Sequence, residues 1–250
     1  MRIALLTLES AASREATARF AARHAGRLAL VALSPPLGAW RSGWRALRRG
    51  GPGLLPWLLL NHALPALRPS PLARLCRARG IPLHALGDDA ATARALRGSG
   101  AELLVSFHLD RILPPALLAA APRGGVNVHP SLLPRHRGPM PAFHGLAEGA
   151  TGVSIHALTP RVDAGGVWAQ RAVPLPPGTS ATAAARALHL AALPLLDAVL
   201  ARIAAGEAAP PAPEPLPYAP WPGPAARRRA GVPLVAAADW RLAWEKPGHA

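Results

Sequence analysis

The sequence predicts an α/β fold: a mostly parallel sheet with an antiparallel extension and helices on both faces. Three observations predict it. Short runs of Val, Ile, Leu and Phe alternate with helix-like stretches through the first half of the chain, the pattern of strands joined by helical crossovers. Two later apolar runs, at 153–158 and 167–173, are joined by a connection too short for a crossover, so they extend the sheet antiparallel. Half of the 250 residues are apolar, enough for a sizeable core.

The elements follow in order. Strands are expected at 3–8, 28–33, 81–86, 103–107, 125–128, 153–158 and 167–173. The first eight residues read as a strand rather than a signal peptide, because no small-residue cleavage site follows the apolar run. A helix is expected over 13–25 with Ser13 as its cap, and another over 89–98, ending at glycine. Residues 35–80, rich in Pro, Gly, Arg and Trp, read as an irregular insertion with one or two short helices. A helix over 182–205, begun by Thr179 or Ser180, is expected to kink or break at Pro194. The organisation expected is a domain over 1–206, then a proline-rich extended linker and short tail over 207–250.

Composition excludes several classes. The single cysteine, Cys76, rules out a disulfide framework and a cysteine-based zinc site, and suits a reducing cytoplasm. No apolar run reaches the roughly 20 residues that span a bilayer, so no membrane association is expected. The net charge of +15 could signal nucleic acid. Lys246 is the only lysine, however, and Ala and Pro are also abundant. That mixture reads as base-composition drift rather than a binding surface.

The densest chemistry lies between Gly124 and Gly166. Asn127 and His129 sit two apart at the end of an apolar strand, so their side chains share a face. That face looks into the crevice where open α/β sheets bind ligands. Pro130 and Pro134 stiffen the following loop, and Asp163 precedes Ala164-Gly165-Gly166, glycines suited to a turn with positive φ. An amide, an imidazole and a carboxylate suit acyl transfer to an amine, with donors for an oxyanion and a base for the amine proton. Asn and Asp at strand ends are also ordinary turn residues, and spacing alone leaves both readings open. No serine elbow, Walker A loop or His-Glu-x-x-His motif is present, and the histidine spacing predicts no metal site.

Asn127-Val-His129-Pro-Ser-Leu-Leu-Pro134, then Arg137-Gly138, Gly152-Val-Ser154-Ile-His156 and Asp163-Ala-Gly165 together resemble the 10-formyltetrahydrofolate-dependent formyltransferases. That group includes the methionyl-tRNA, glycinamide ribonucleotide and sugar N-formyltransferases. The resemblance runs from about Ile81 to Pro220, closing on Pro217-Tyr218-Ala219-Pro220. It implies a Rossmann-like fold, a cytoplasmic enzyme of one-carbon metabolism and 10-formyltetrahydrofolate as formyl donor. It also implies Asn127, His129 and Asp163 as the catalytic set. Phe107, Leu109, Arg111, Ile112 and Leu113 are carried over as folate-binding residues, and Ser154 and His156 as supporting ones.

The departures concern the acceptor. The glycine-rich phosphate loop of glycinamide ribonucleotide formyltransferases is replaced by Thr7-Leu-Glu-Ser-Ala-Ala-Ser13. Few residues follow Pro224, where methionyl-tRNA formyltransferases carry a β-barrel. The expected acceptor is therefore an amine on a small molecule. A tRNA-acting formyltransferase without a full barrel, or a folate-binding hydrolase or pseudoenzyme, are the alternatives.

Overall fold

A computed structural model describes residues 1–34, 43–44 and 46–244; the expected insertion therefore lies partly outside the described residues. Seven strands form one sheet in the order β3-β2-β1-β4-β5-β6-β7. They are β1 (Ile3–Thr7), β2 (Leu28–Leu33), β3 (Leu83–Ala85), β4 (Leu103–Phe107), β5 (Gly125–His129), β6 (Gly152–Ala157) and β7 (Val167–Ala172). β1 to β5 pair in parallel, whereas β6 runs antiparallel to both β5 and β7. This is the mostly parallel, Rossmann-like sheet with an antiparallel extension that the alternation predicts.

The faces are covered as the apolar spacing requires. One core joins alternate strand residues Leu5, Val105, Val126 and Ile155 to helices α1 (Arg14–Arg23), α2 (Pro71–Arg79) and a long carboxyl-terminal helix, Ala181–Ala204. The other joins Ala4, Leu6, Leu30 and Leu104 to α3 (Asp89–Ser99) and the turn Pro115–Leu118. α3 shows why its boundaries are sharp. The Asp88 carboxylate accepts from Ala91 N–H at its start, and Gly100 is left-handed at its end.

Four expectations are corrected. Ser13 precedes α1, but its hydroxyl donates to the Leu8 carbonyl instead of capping the helix, and Ser10 and Ser13 bind each other. The helix Ala181–Ala204, here α5 with α4 being Pro141–Ala147, starts at a Ser180 cap and runs unbroken through Pro194. Pro194 faces solvent, so water can satisfy the carbonyl that the missing N–H leaves free. α5, 24 residues long, is also apolar enough, by length and composition, to cross a bilayer, with a mean hydropathy of 1.6 over an 18-residue window. Its Leu188, Ala192, Leu196 and Val199 are in the core with Val153 and Ile155 of β6. Finally, the described part of the insertion is mostly helical. Pro52–Leu54, Leu55–Leu58, a wide π-turn at Leu59–Ala63 and Leu64–Ala66 follow one another. Pro56 and Pro65 each occupy a first turn, where no backbone N–H is needed.

Residues 207–223 carry neither helix nor strand. They are nevertheless bound to the sheet's carboxyl edge. Arg137 Nη1 donates to Leu216 O at 3.0 Å, Ala219 N–H to Arg137 O at 2.8 Å, and His144 Nε2 to Pro220 O at 3.0 Å. Beyond them Val232, Leu234 and Val235 pack near Trp57 and Leu58 of the insertion. Ala181 N–H, at the start of α5, donates to Pro233 O at 2.8 Å.

Candidate active site

The pleat assembles the polar floor. On β4, β5 and β6 the residues Val105, Phe107, Val126, Val128, Val153 and Ile155 all enter one core. The alternating positions Ser106, Asn127, His129, Ser154 and His156 therefore share the opposite face. Register then sets neighbours: Ser106 lies opposite Asn127, Asn127 opposite His156, and His129 opposite Ser154. Above this floor is a crevice of about 630 Å³ lined by Asn127, His129, His156 and Asp163.

Asp163 arrives from the β6–β7 connection in a left-handed conformation, φ 46°. Asp tolerates this better than most residues because its short polar side chain can hydrogen-bond locally. The positive φ is thus on the carboxylate itself and not on the glycines after it. Those are needed for close approach: a Cβ on Gly165 would lie 1.9 Å from Ala157 O, and one on Gly166 1.8 Å from Pro210 O. Three other left-handed residues, His108, His136 and Met140, lie in the segments around the same crevice, where backbone strain tends to collect.

The hydrogen bonds set the tautomers. His156 Nδ1 faces the Ala157 carbonyl at 2.9 Å, so it donates there. Its Nε2 then accepts from Asn127 Nδ2 at 3.1 Å. Asn127 is fixed with its amide nitrogen at the crevice and one N–H free to point outward. His129 Nε2 donates to the His136 carbonyl at 3.1 Å, which turns Nδ1 toward Asp163. Asp163 Oδ1 lies 3.6 Å from both His129 Nδ1 and His156 Nε2, and Oδ2 accepts from Gly138 N–H at 2.9 Å. These three ionisable groups offer ligand atoms within 4.8 Å of one another and could hold a metal ion. They come from three segments, so spacing along the chain does not reveal the grouping. An ion there would have to displace Asn127 from His156.

Ser154 sits behind the floor. Its hydroxyl donates to Ser131 O at 2.6 Å and accepts from Leu133 N–H and Gln170 Nε2. It holds the 130–134 loop and does not reach the crevice. Of the folate candidates, Leu109, Arg111, Ile112 and Leu113 line the crevice, with Arg111 paired to Asp89. Phe107 is not among the lining residues. The pleat turns it into the core against Phe20, ring centroids 5.5 Å apart, and its ring lies 6.3 Å from that of the crevice residue His189.

Two sets of contacts were not visible from the motifs. Arg137 is buried and holds three segments together: its guanidinium donates to the carbonyls of Val162, Asp163 and Leu216. Gly138 follows at φ 112°, and a Cβ there would meet the Tyr218 ring at 2.7 Å. The Arg-Gly pair was visible in the motif, but its partners, 25 to 79 residues away, were not. The second set is His62, His108 and His189, which also line the crevice and share no sequence pattern.

Burial keeps four of these imidazoles neutral. It pushes His156 down to about 4, helped by the nearby His129 and opposed by Asp163. It pushes His62 and His189 to about 3 and His108 to about 4. An unfolded chain takes up protons on these histidines below about 6.5, where the folded one refuses them until much lower pH. Stability is therefore fully present above about pH 6.5 and falls as the pH drops toward 4. Thermal melts across pH 7 to 4 should show Tm falling throughout, with a shallower slope in His62→Gln. A flat Tm over that window would contradict the burial of these rings.

A mixed sheet with its polar residues at the carboxyl edges of β4 and β5 defines a Rossmann-like α/β protein, with a crevice at the place where such sheets bind ligands. The chain belongs to the formyl transferase family, whose model matches residues 65–200. It is 37% identical over 139 residues to the methionyl-tRNA formyltransferase of Thermus thermophilus, covering 54% of this chain and 46% of the relative. To the methionyl-tRNA formyltransferase of Rhodopirellula baltica it is 38% identical over 111 residues, 43% of this chain and 33% of the relative. The chain thus spans less than half the length of these relatives. Its fold resembles glycinamide ribonucleotide transformylase 1 from Symbiobacterium toebii (TM-score 0.60, 21% identity, 82% of this chain and 88% of that one). It also resembles a sugar N-formyltransferase from Shewanella sp. FDAARGOS_354 (TM-score 0.56, 18% identity, 88% and 76%).

Proposed function

We propose that the protein transfers a formyl group from 10-formyltetrahydrofolate to an amine of a small acceptor. The observation that carries this reading is the convergence of Asn127, His129 and Asp163, from two separate segments, on one point of a ligand-sized crevice. The donor is a substrate, and when bound it supplies a formyl group on a displaceable nitrogen. Leu109, Ile112 and Leu113 offer it an apolar wall, with the Arg111 stem beside them. That lining suits a flat heterocycle.

In this reading the acceptor nitrogen attacks the formyl carbon and the carbonyl oxygen gains charge; collapse of that intermediate then breaks the bond from the formyl carbon to the donor nitrogen, which takes up a proton and leaves as tetrahydrofolate. The free N–H of Asn127 and a protonated Nδ1 of His129 donate to that oxygen. Asp163, 3.6 Å from His129 Nδ1, accepts the proton released by the attacking nitrogen. His156 does not contact the reacting atoms. It positions Asn127 by accepting one of its two amide hydrogens.

Binding of the donor is the first test. A ligand that binds only the folded state raises Tm by mass action. Tetrahydrofolate analogues should give a dose-dependent rise, and a flat curve up to millimolar analogue would count against the donor assignment. A second reading, formylation of charged tRNA, is favoured by the relatives at 37–38% identity, which are methionyl-tRNA formyltransferases. Phosphate contacts to RNA make affinity fall steeply with salt, so salt dependence separates the two acceptors.

A further inference from the structure

Three acceptors converge at the floor of the crevice. Asp163 Oδ1 lies 3.6 Å from His129 Nδ1 and 3.6 Å from His156 Nε2, and the ligand atoms of all three residues fall within 4.8 Å of one another. In each neutral ring the other nitrogen is already engaged. His129 Nε2 donates to the His136 carbonyl at 3.1 Å and His156 Nδ1 to the Ala157 carbonyl at 2.9 Å. Each ring therefore turns a lone pair toward Asp163. The carboxylate is held in the same way, because Oδ2 accepts from Gly138 N–H at 2.9 Å and leaves Oδ1 to the two rings. A carbonyl behind each imidazole and a hydrogen bond behind the carboxylate are the outer supports that orient metal ligands. Among the described residues neither His129 Nδ1 nor Asp163 Oδ1 makes a hydrogen bond, and neither is sealed from solvent. Both residues line the crevice.

The spacing suits a small divalent ion. Zinc takes nitrogen and oxygen at about 2.0–2.2 Å in a tetrahedron, which sets neighbouring ligand atoms about 3.3 Å apart. The two separations of 3.6 Å reach that value by a slight rotation of the side chains. Two imidazoles and one carboxylate are a zinc-type donor set, whereas magnesium and calcium prefer oxygens alone. Three protein ligands leave a further position for water on the side of the crevice. Asn127 guards the site. Its Nδ2 donates to His156 Nε2 at 3.1 Å, so an ion must take that lone pair from the amide. Removing the amide should therefore raise the affinity for the ion by about the strength of one neutral hydrogen bond, roughly threefold or more.

We propose that His129, His156 and Asp163 form an inhibitory binding site for a zinc-type divalent ion. A bound ion takes the lone pair of His129 Nδ1, so that this nitrogen can carry no proton to the oxyanion. It also takes the carboxylate oxygen that would accept the proton of the amine. The inhibition rests on the formyl-transfer reading; the binding does not. Titration of the metal-free full chain with Zn²⁺ by calorimetry and with Co²⁺ by visible absorption tests it. One ion per chain should bind, Co²⁺ should show the intense d–d bands of a four- or five-coordinate site, and Zn²⁺ should displace it. Millimolar Mg²⁺ should not. His156→Ala and Asp163→Ala should weaken Zn²⁺ binding on the order of tenfold or more, and Asn127→Ala should strengthen it. Glu148→Gln, which alters another imidazole–carboxylate pair at His136, should change nothing. Absence of stoichiometric binding, an unchanged affinity in a folded His156→Ala or Asp163→Ala chain, no gain in Asn127→Ala, or equal competition by Mg²⁺ would each overturn the site. Formyl transfer, assayed in parallel, should fall along the same Zn²⁺ curve and return with a chelator. A rate that stays constant as the site fills, or one that needs the ion, would overturn the inhibition. Zn²⁺ binding in a chain that transfers no formyl group with or without the ion leaves the site standing and removes the formyl-transfer reading.

Discussion

Asp163→Asn should fold normally and turn over at least about a hundredfold more slowly, the usual scale for losing a positioned general base. Asn fits the site: it tolerates the left-handed φ of 46° and keeps an oxygen to accept the Gly138 N–H. What it loses is the negative oxygen 3.6 Å from both His129 and His156. Without that charge the attacking amine has no base. Donor consumption at saturating amine reads the rate, and a urea melt checks the fold. Unchanged turnover in a well-folded variant would remove Asp163 from the mechanism.

Arg137→Met should cost on the order of 3 kcal/mol of stability, because hydrogen bonds from a charged group contribute about 1.5–3 kcal/mol each and the side chain is buried. The guanidinium donates to Val162, Asp163 and Leu216 carbonyls, so it ties the Asp163 loop to the 207–223 segment. Met retains much of the apolar stem and removes only the charged head. Turnover should also fall, since Gly138 N–H and Asp163 Oδ2 are held together through the same junction. A loss under about 1 kcal/mol in urea unfolding, on the scale of a single neutral hydrogen bond, together with unchanged turnover, would contradict this role.

The sheet was legible because its signals are local. Runs such as Leu103-Leu-Val-Ser-Phe107 state their strand, and the short 158–166 connection states the antiparallel turn. The pairing of Asn127 with His129 on one face was legible for the same reason, since strand alternation fixes it. The partners of these residues were not. His156 is 29 residues from Asn127, and Arg137 is 79 from Leu216, and no periodicity reports such contacts. Pro194 was misread because proline's cost depends on exposure, which the helix acquires only once it packs. Phe107 was carried over with its neighbours, yet the pleat that brings Ser106 to the crevice sends Phe107 the other way. The three crevice-lining histidines had no signal at all, being drawn together from positions 62, 108 and 189 where the insertion, the end of β4 and α5 meet.

The most direct test of the account is a formyl-transfer assay with 10-formyltetrahydrofolate labelled at the formyl carbon. It would be run against a panel of small hydroxylated amines and against charged initiator tRNA over a salt series. The account predicts label in an N-formylated small amine, produced at a rate that depends on amine concentration and only weakly on salt. Label appearing instead in methionyl-tRNA, with a rate that collapses as salt rises, would contradict the small-acceptor claim. Release of the label as free formate whatever amine is present would contradict transfer itself.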